Sequence, residues 1–221
     1  MTDNSSKPEC PVGEEICGHI DGLSVLRSRI DELSRLVHTD TLTGLFNFRH
    51  FSMVLEQELE RTRRSGRPTS LVMMDLDHFK QVSDRWGHES GNRVLRQSGE
   101  LITQVLRRVD IPCRCGGEEF ALILPGTPLA RAVHVAERLR ISLSETPVAL
   151  DGCELQVTAS FGVNVYLRHS TITPAQFVEE TDAFLYQAKA QGRDRVCHPD
   201  FESVKPKGQV GRSEKDALLG D

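Results

Sequence analysis

The chain has 221 residues, 38% hydrophobic and 27% charged, with a formal net charge of -5 at pH 7. That length suits one domain of ordinary size with some chain to spare, enough to bury a real core. The acidic balance gives no general case for nucleic-acid binding, and no apolar run approaches the ~20 residues needed to cross a bilayer.

The opening stretch MTDNSSKPECPVGEE is polar and acidic, unlike a secretory signal. It predicts a cytoplasmic protein with no membrane segment. Residues 1–16 read as disordered. A helical stalk is expected over 17–38, where Leu23, Leu26, Ile30, Leu33 and Val37 recur at the 3, 4, 3, 4 spacing of a heptad seam. The seam lasts only about two heptads. Two readings stay open: a helix packed on its own domain, or a parallel dimerisation stalk.

From Asp40 onward the texture is compact α/β. SLVMMDLD (70–77) reads as a short buried strand, and a helical pattern follows through Val94, Leu95, Leu101, Ile102 and Val105. IPCRC (111–115) reads as a strand, Gly116-Gly117 as a tight turn, and EEFALIL (118–124) as its hairpin partner. A helix is expected over about 128–145. Leu155, Val157, Ala159, Phe161, Val163 and Val165 alternate, which predicts a half-buried strand. A last helix is expected over about 174–191. Residues 199–221, with scattered charge, Gly and Pro, read as a disordered tail.

The middle order β-α-β-β-α-β predicts a ferredoxin-like α/β (α+β) fold preceded by an N-terminal helix. Its first and third strands are central antiparallel neighbours. Asp75 and Asp77 then lie at the same sheet edge as Glu118 and Glu119. Four converging carboxylates call for a cation, and all-oxygen donors on strand ends suit Mg²⁺ or Mn²⁺. Gly116-Gly117 leaves room for a bulky ligand. Lys80, Lys189 and Arg193 are placed to meet phosphate oxygens; for the last two, favourable placement at a helix C-terminus is the alternative. Six cysteines are present, and the C-x6-C and C-x-C spacings fit no common zinc pattern. They read as reduced or incidental thiols, with a Cys10–Cys17 clip as the lesser alternative.

The blocks DTLTGLFNFRHF (40–51), DLDHFKQVSDRWGHESGN (75–92), RRVD (107–110), RCGGEEF (114–120), SFGV (160–163) and TDAFLYQAKAQGRDRV (181–196) together resemble the GGDEF-family diguanylate cyclases, in a GGEEF variant. The resemblance covers about 38–198, and the catalytic domain is drawn at 39–198. It implies a palm-type cyclase domain that binds GTP with two Mg²⁺ (or Mn²⁺) ions. Two such domains form a homodimer and condense two GTP into cyclic di-GMP, releasing pyrophosphate.

By resemblance, Asp75, the Leu76 carbonyl and Glu118 are the metal ligands. Glu118 is also the base for the 3′-hydroxyl, and Glu119 supports the metal site. Lys80, counted with these two glutamates as catalytic, joins the backbone of His78 and Phe79 and the side chains of Lys189 and Arg193 around the phosphates. The family usually has Asn where this chain has Ser83, and Asp where it has Asn92. Both positions face the guanine, so base selectivity is the open question. His88 shapes the pocket or merely packs.

Arg107 and Asp110, with five residues between Asp110 and Gly116, match the family's R-x-x-D inhibitory site for cyclic di-GMP, with Arg138 as a secondary contact. Allosteric product inhibition is thereby expected. A regulatory protein acting on the 17–37 helix is the expected input, and biofilm or motility the expected output. Two alternatives compete with the cyclase reading: relaxed base choice yielding cyclic GMP-AMP, or a non-catalytic receptor for cyclic di-GMP or GTP.

Overall fold

The computed structural model describes residues 25–26, 38–150 and 152–204. The chain divides into two units, Met1–Thr39 and Asp40–Asp221. In the first, Val25 and Leu26 are helical and exposed. The rest of the expected stalk seam, the expected disordered start over 1–16, and residues 205–221 of the expected tail lie outside the described residues. The first part of that tail is described: residues 201–204 form a turn, and Val204 packs against the core.

The second unit builds a six-stranded mixed sheet. In chain order its elements are β1 (Phe46–Asn47), α1 (Phe48–Ser65), β2 (Thr69–Leu76), α2 (Phe79–Trp86), α3 (His88–Val105), β3 (Ile111–Gly116), β4 (Glu119–Leu124), α4 (Leu129–Glu145), β5 (Val148–Leu150), β6 (Cys153–Leu155), β7 (Ala159–Tyr166), α5 (Pro174–Ala190) and β8 (Val196–Cys197). The strand order is β1-β3-β4-β2-β7-β8, with β5 and β6 as a separate hairpin. The four strands β3-β4-β2-β7 are the expected ferredoxin-like core, and β2 runs antiparallel to both β4 and β7.

Both sheet faces are covered. On one, Phe51, Leu55 and Leu59 of α1 and Phe177 and Leu185 of α5 pack on Leu71, Met73, Ala121 and Ile123. On the other, Val94, Leu95 and Ile102 of α3 and Ala132, Ala136 and Leu139 of α4 pack on Val72, Met74, Leu122, Phe161 and Val163. This two-sided cover explains why TSLVMMDL, the whole of β2, is buried without alternation.

Sequence patterning erred in four places. The alternation from Leu155 to Val165 predicts one long half-buried strand. Instead Leu155 belongs to the β5–β6 hairpin, and every residue of β7 is buried. The non-hydrophobic alternates Ser160, Gly162 and Asn164 face helix, not water. A Cβ at Gly162 would stand 2.3 Å from Leu185 N and 2.4 Å from Thr181 O. Only glycine lets α5 lie this close to the sheet.

The helix after β2 is two helices, broken at Gly87 (φ 80, ψ 164). Helix α1 was not anticipated, although Phe51, Leu55, Leu59 and Thr62 mark its buried face. Asn47 caps it by accepting from His50 N–H at 3.1 Å. Finally, β4 begins at Glu119, so Glu118 sits in the turn itself. That turn follows a register shift between Arg114 and Gly116, and Gly117 is at φ +51. A residue with a side chain would be strained there.

Candidate active site

The antiparallel register sets Asp75 opposite Glu119 and brings the Leu76 N–H to the Glu118 carbonyl at 3.3 Å. Close packing at Gly162 brings the C-terminal turn of α5 to the same edge, and Lys189 Nζ lies 2.7 Å from Asp75 Oδ2. The N-terminus of α2 completes the rim. Its cap, His78, is left-handed (φ 57, ψ 22) and makes no side-chain capping bond.

The result is an open cleft of about 470 Å³, lined by Asp75, Leu76, His78, Phe79, Lys80, Gln81, Asp84, Glu118, Lys189 and Arg193. The cleft therefore unites seven expected site residues with Glu118. Glu119 is exposed beside Asp75 and does not line it; nor do Ser83, His88 and Asn92.

The electrostatics of the cleft favour a cation. Burial pushes the Asp75 carboxyl up; Lys189 pulls it back, and Glu118 and Asp77 push it up again. Glu119 is likewise raised, first by burial and then by Asp75, with Lys189 opposing. Among the described residues, no group of three or more His, Cys, Asp or Glu side chains is arranged to hold a metal alone. What the cleft offers is the Asp75 and Glu118 carboxylates and the Leu76 carbonyl. A hard dication that completes its shell with water and substrate phosphate fits such a set.

Asp77 differs from the expectation. It does not join Asp75 and the glutamates, because its oxygens are already used. Oδ1 accepts from Ser160 Oγ at 2.7 Å. Oδ2 accepts from Thr158 Oγ1 at 2.8 Å and from the Asp194 N–H at 3.1 Å.

Arg114 has a role that its motif alone did not disclose. Its guanidinium donates to the Gly117 carbonyl at 3.0 and 2.7 Å and to both Asp40 oxygens at 3.1 Å. Asp40 also accepts from the Thr43 N–H and hydroxyl. The turn that carries Glu118 is thus tied to the start of the domain, 74 residues earlier in the chain.

Between α2 and α3, Gly91 allows close packing: a Cβ there would meet Ser83 Oγ at 2.7 Å. Asn92 Nδ2 donates to Glu89 Oε2 at 3.2 Å, and Arg96 holds the other Glu89 oxygen at 3.0 Å.

A second hollow, of about 430 Å³, lies between the α3–β3 connection and α4. Arg107 and Asp110 meet there in a two-pronged ion pair, 2.6 and 3.1 Å, and Arg107 also donates to Thr127 Oγ1 at 2.7 Å. Arg138 lines the same hollow and donates to the Val105 carbonyl. Arg131 and His134 line it too; the steps of three and four residues along Arg131, His134 and Arg138 put them on one helix face and were the available signal.

The described cysteines do not line the cleft. Among the described residues, Cys113, Cys115, Cys153 and Cys197 are free. Burial pushes the Cys115 thiol up to about 12 and Cys113 higher still. Thiols so disfavoured as thiolates are poor nucleophiles.

The fold and cleft define a ferredoxin-like α/β domain with an acidic, cation-seeking edge ringed by basic side chains. The family profile described as "Diguanylate cyclase, GGDEF domain" matches residues 37–195, and the chain belongs to that family. It is 40% identical over 173 residues to the response regulator PleD of Caulobacter vibrioides, covering 77% of this chain and 38% of that protein. It is 37% identical over 169 residues to diguanylate cyclase DgcP of Pseudomonas aeruginosa, covering 76% of this chain and 25% of the relative. The chain thus spans less than half the length of these two relatives.

Among solved structures, it resembles the coiled coil and GGDEF domain of DgcB from Caulobacter crescentus, in complex with c-di-GMP. There the TM-score is 0.76 and the identity 27%, over 82% of this chain and 95% of that one. It also resembles diguanylate cyclase SiaD from Pseudomonas aeruginosa, solved with its activator SiaC. That match has a TM-score of 0.70 and 38% identity, over 82% of this chain and 72% of that one. No helix among the described residues is long and apolar enough to cross a membrane.

Proposed function

We propose that this domain is a diguanylate cyclase that joins two GTP molecules into cyclic di-GMP. The observation that carries the reading is the single cleft gathering Asp75, Leu76 and Glu118 with Lys80, Lys189 and Arg193. Asp75, the Leu76 carbonyl and Glu118 would hold two Mg²⁺ or Mn²⁺ ions. Bound there, the ions lower the pKa of the 3′-hydroxyl and offset charge on the departing pyrophosphate.

The protein's own groups do the rest. Lys80, Lys189 and Arg193 grip phosphate oxygens, and the free N–H groups of Phe79 and Lys80 at the α2 N-terminus add dipolar attraction. Glu118 accepts the proton of the 3′-hydroxyl as that oxygen bonds to the α-phosphorus of the other nucleotide. The bond from that phosphorus to pyrophosphate breaks. Glu119, its carboxyl raised by burial and then by the charge of Asp75 beside it, stands at the same edge.

One cleft holds one nucleotide, so turnover requires two domains face to face. A homodimer is therefore part of the proposal. Residues 17–37 serve as its stalk, and a regulatory protein acts on them; the neighbour SiaD was solved in complex with an activator protein. The Arg107–Asp110 hollow, with Arg138, takes cyclic di-GMP as feedback inhibitor; DgcB, a structural neighbour, was solved in complex with c-di-GMP. The cell location is cytoplasmic.

The relaxed-base alternative turns on Asn92. Because the Glu89 carboxylate can only accept, the Asn92 amide group turns toward it. Nδ2 keeps its second N–H and Oδ1 stays an acceptor, so Asn92 can still meet the edge of either guanine or adenine.

The test is product identification by mass spectrometry after incubation with Mg²⁺ and GTP, ATP or both. Cyclic di-GMP from GTP is the expected result. A mixed dinucleotide would favour relaxed base choice. No product from a verified dimer would favour a receptor.

A further inference from the structure

Asp77 is 5% exposed and sits two residues beyond Asp75, yet its carboxylate turns away from the cleft. Besides Thr158 and Ser160, it takes the backbone N–H of Asp194. That bond is sited at an improbable piece of backbone. Directly after α5, Gly192, Arg193 and Asp194 have φ values of +114, +65 and +44. Consecutive left-handed residues with side chains persist only where surroundings hold them.

Here they are held from several sides. The Arg193 N–H donates to the Ala188 carbonyl at 3.0 Å, and the Phe161 N–H donates to the Arg195 carbonyl at 2.9 Å. The Asp194 carboxylate receives Arg140 Nη1 at 3.0 Å, and Glu137 steadies Arg140 at 2.8 Å. Between the two clamped ends stands Arg193, which lines the cleft with Lys80 and Lys189.

We infer that Asp77 is a positioning residue for polyphosphate binding: with Asp194 and Arg140 it locks the left-handed turn that points Arg193 into the cleft, and it holds no metal. The inference rests on the GTP reading of the cleft. It separates two aspartates of one D-x-D run into two jobs. Asp75 serves the cation, and Asp77 serves a cation-independent brace.

The test measures affinity for a non-hydrolysable GTP analogue by calorimetry, in parallel with KM, kcat and the Mg²⁺ concentration for half-maximal rate. Asp77→Ala is expected to weaken analogue binding and raise KM about 10-fold, as Arg193→Ala does. The double variant is expected to be no worse than either single change. Asp77→Asn keeps an acceptor for the Asp194 N–H and should restore most of the affinity, because hydroxyls of Thr158 and Ser160 can accept as well as donate. The Mg²⁺ requirement should not move.

If Asp77→Ala fails to fold, Arg140→Ala removes the outer brace from α4 and should give a smaller KM effect in the same direction. Additive losses, or an Asp77→Asn variant whose Mg²⁺ requirement rises steeply, would overturn the inference while leaving the cyclase reading intact. Wild-type protein that neither binds the analogue nor makes product would overturn both.

Discussion

Two charged hollows of this domain handle charge in opposite ways. In the Arg107 hollow the buried acid is already satisfied: the Asp110 side chain is 1% exposed and is matched by the Arg107 fork, which also reaches Thr127. At the edge of the candidate active-site cleft the charges are left in conflict. Asp75, Glu118 and Glu119 repel one another, and one ion pair, Lys189 with Asp75, relieves them. A satisfied network is a rigid receptacle that keeps its shape without ligand. An unsatisfied one gains most when ligand and cation arrive, which is where catalytic free energy is found.

The sharpest way to break this contrast is Glu118→Ala. Removing a charge that acts on the reacting atoms should lower cyclic di-GMP formation by about 10³-fold or more, ~4 kcal/mol, in protein that stays folded. Steady-state rates on monodisperse protein decide it, and near-full activity would show that the cleft has been assigned wrongly.

A change beneath the cleft should act on the scaffold instead. Gly162→Ala forces a methyl group against the backbone of α5. It should cost about 3 kcal/mol of stability in chemical denaturation. A loss under ~0.5 kcal/mol would mean that α5 shifts freely.

In the other hollow, Arg107→Ala should weaken cyclic di-GMP binding about 100-fold, ~2.7 kcal/mol, and abolish product inhibition. Unchanged affinity in calorimetry would remove the inhibitory role.

The smallest expected effect concerns the link at Asp40. Burial raises its carboxyl, but the Thr43 hydroxyl, the Thr43 N–H and Arg114 outweigh burial and hold it below the ordinary 3.8. A depressed acid contributes stability that is complete above its unfolded pKa and disappears as pH falls through the folded value. Wild-type protein should therefore lose stability below pH 3.8 more steeply than Asp40→Asn, which should be uniformly less stable at neutral pH. Superimposable acid limbs in urea titrations would rule out this contribution.

Motif-bearing residues were the most legible part of the chain. Asp75 and Glu118 could be placed together because the pairing of buried strands fixes which ends share an edge; Lys80, Lys189 and Arg193 were legible as phosphate partners, with their roles taken from the resemblance. The hairpin and the β2–β4 pairing follow from the same local patterns. Less legible were elements whose pattern is spread or whose partner is remote. Helix α1 repeats its apolar residues every four positions, but it follows a two-residue strand that gives no alternation. The β7 alternation looked half-exposed because a small residue under a helix reads like a polar residue facing water.

What the sequence determined by itself was the family, the βαββαβ order of the core and the identity of the chemical groups at the cleft. Those depend on local periodicity and on residue type. Tertiary structure alone decided what each group is free to do. It gave Asp77 to Ser160, Thr158 and Asp194, leaving Asp75 to Lys189 and the cleft. It tied the Gly117 turn to Asp40 through Arg114. The reason is physical: a carboxylate has few lone pairs, and whichever donors the fold brings within 3 Å take them first.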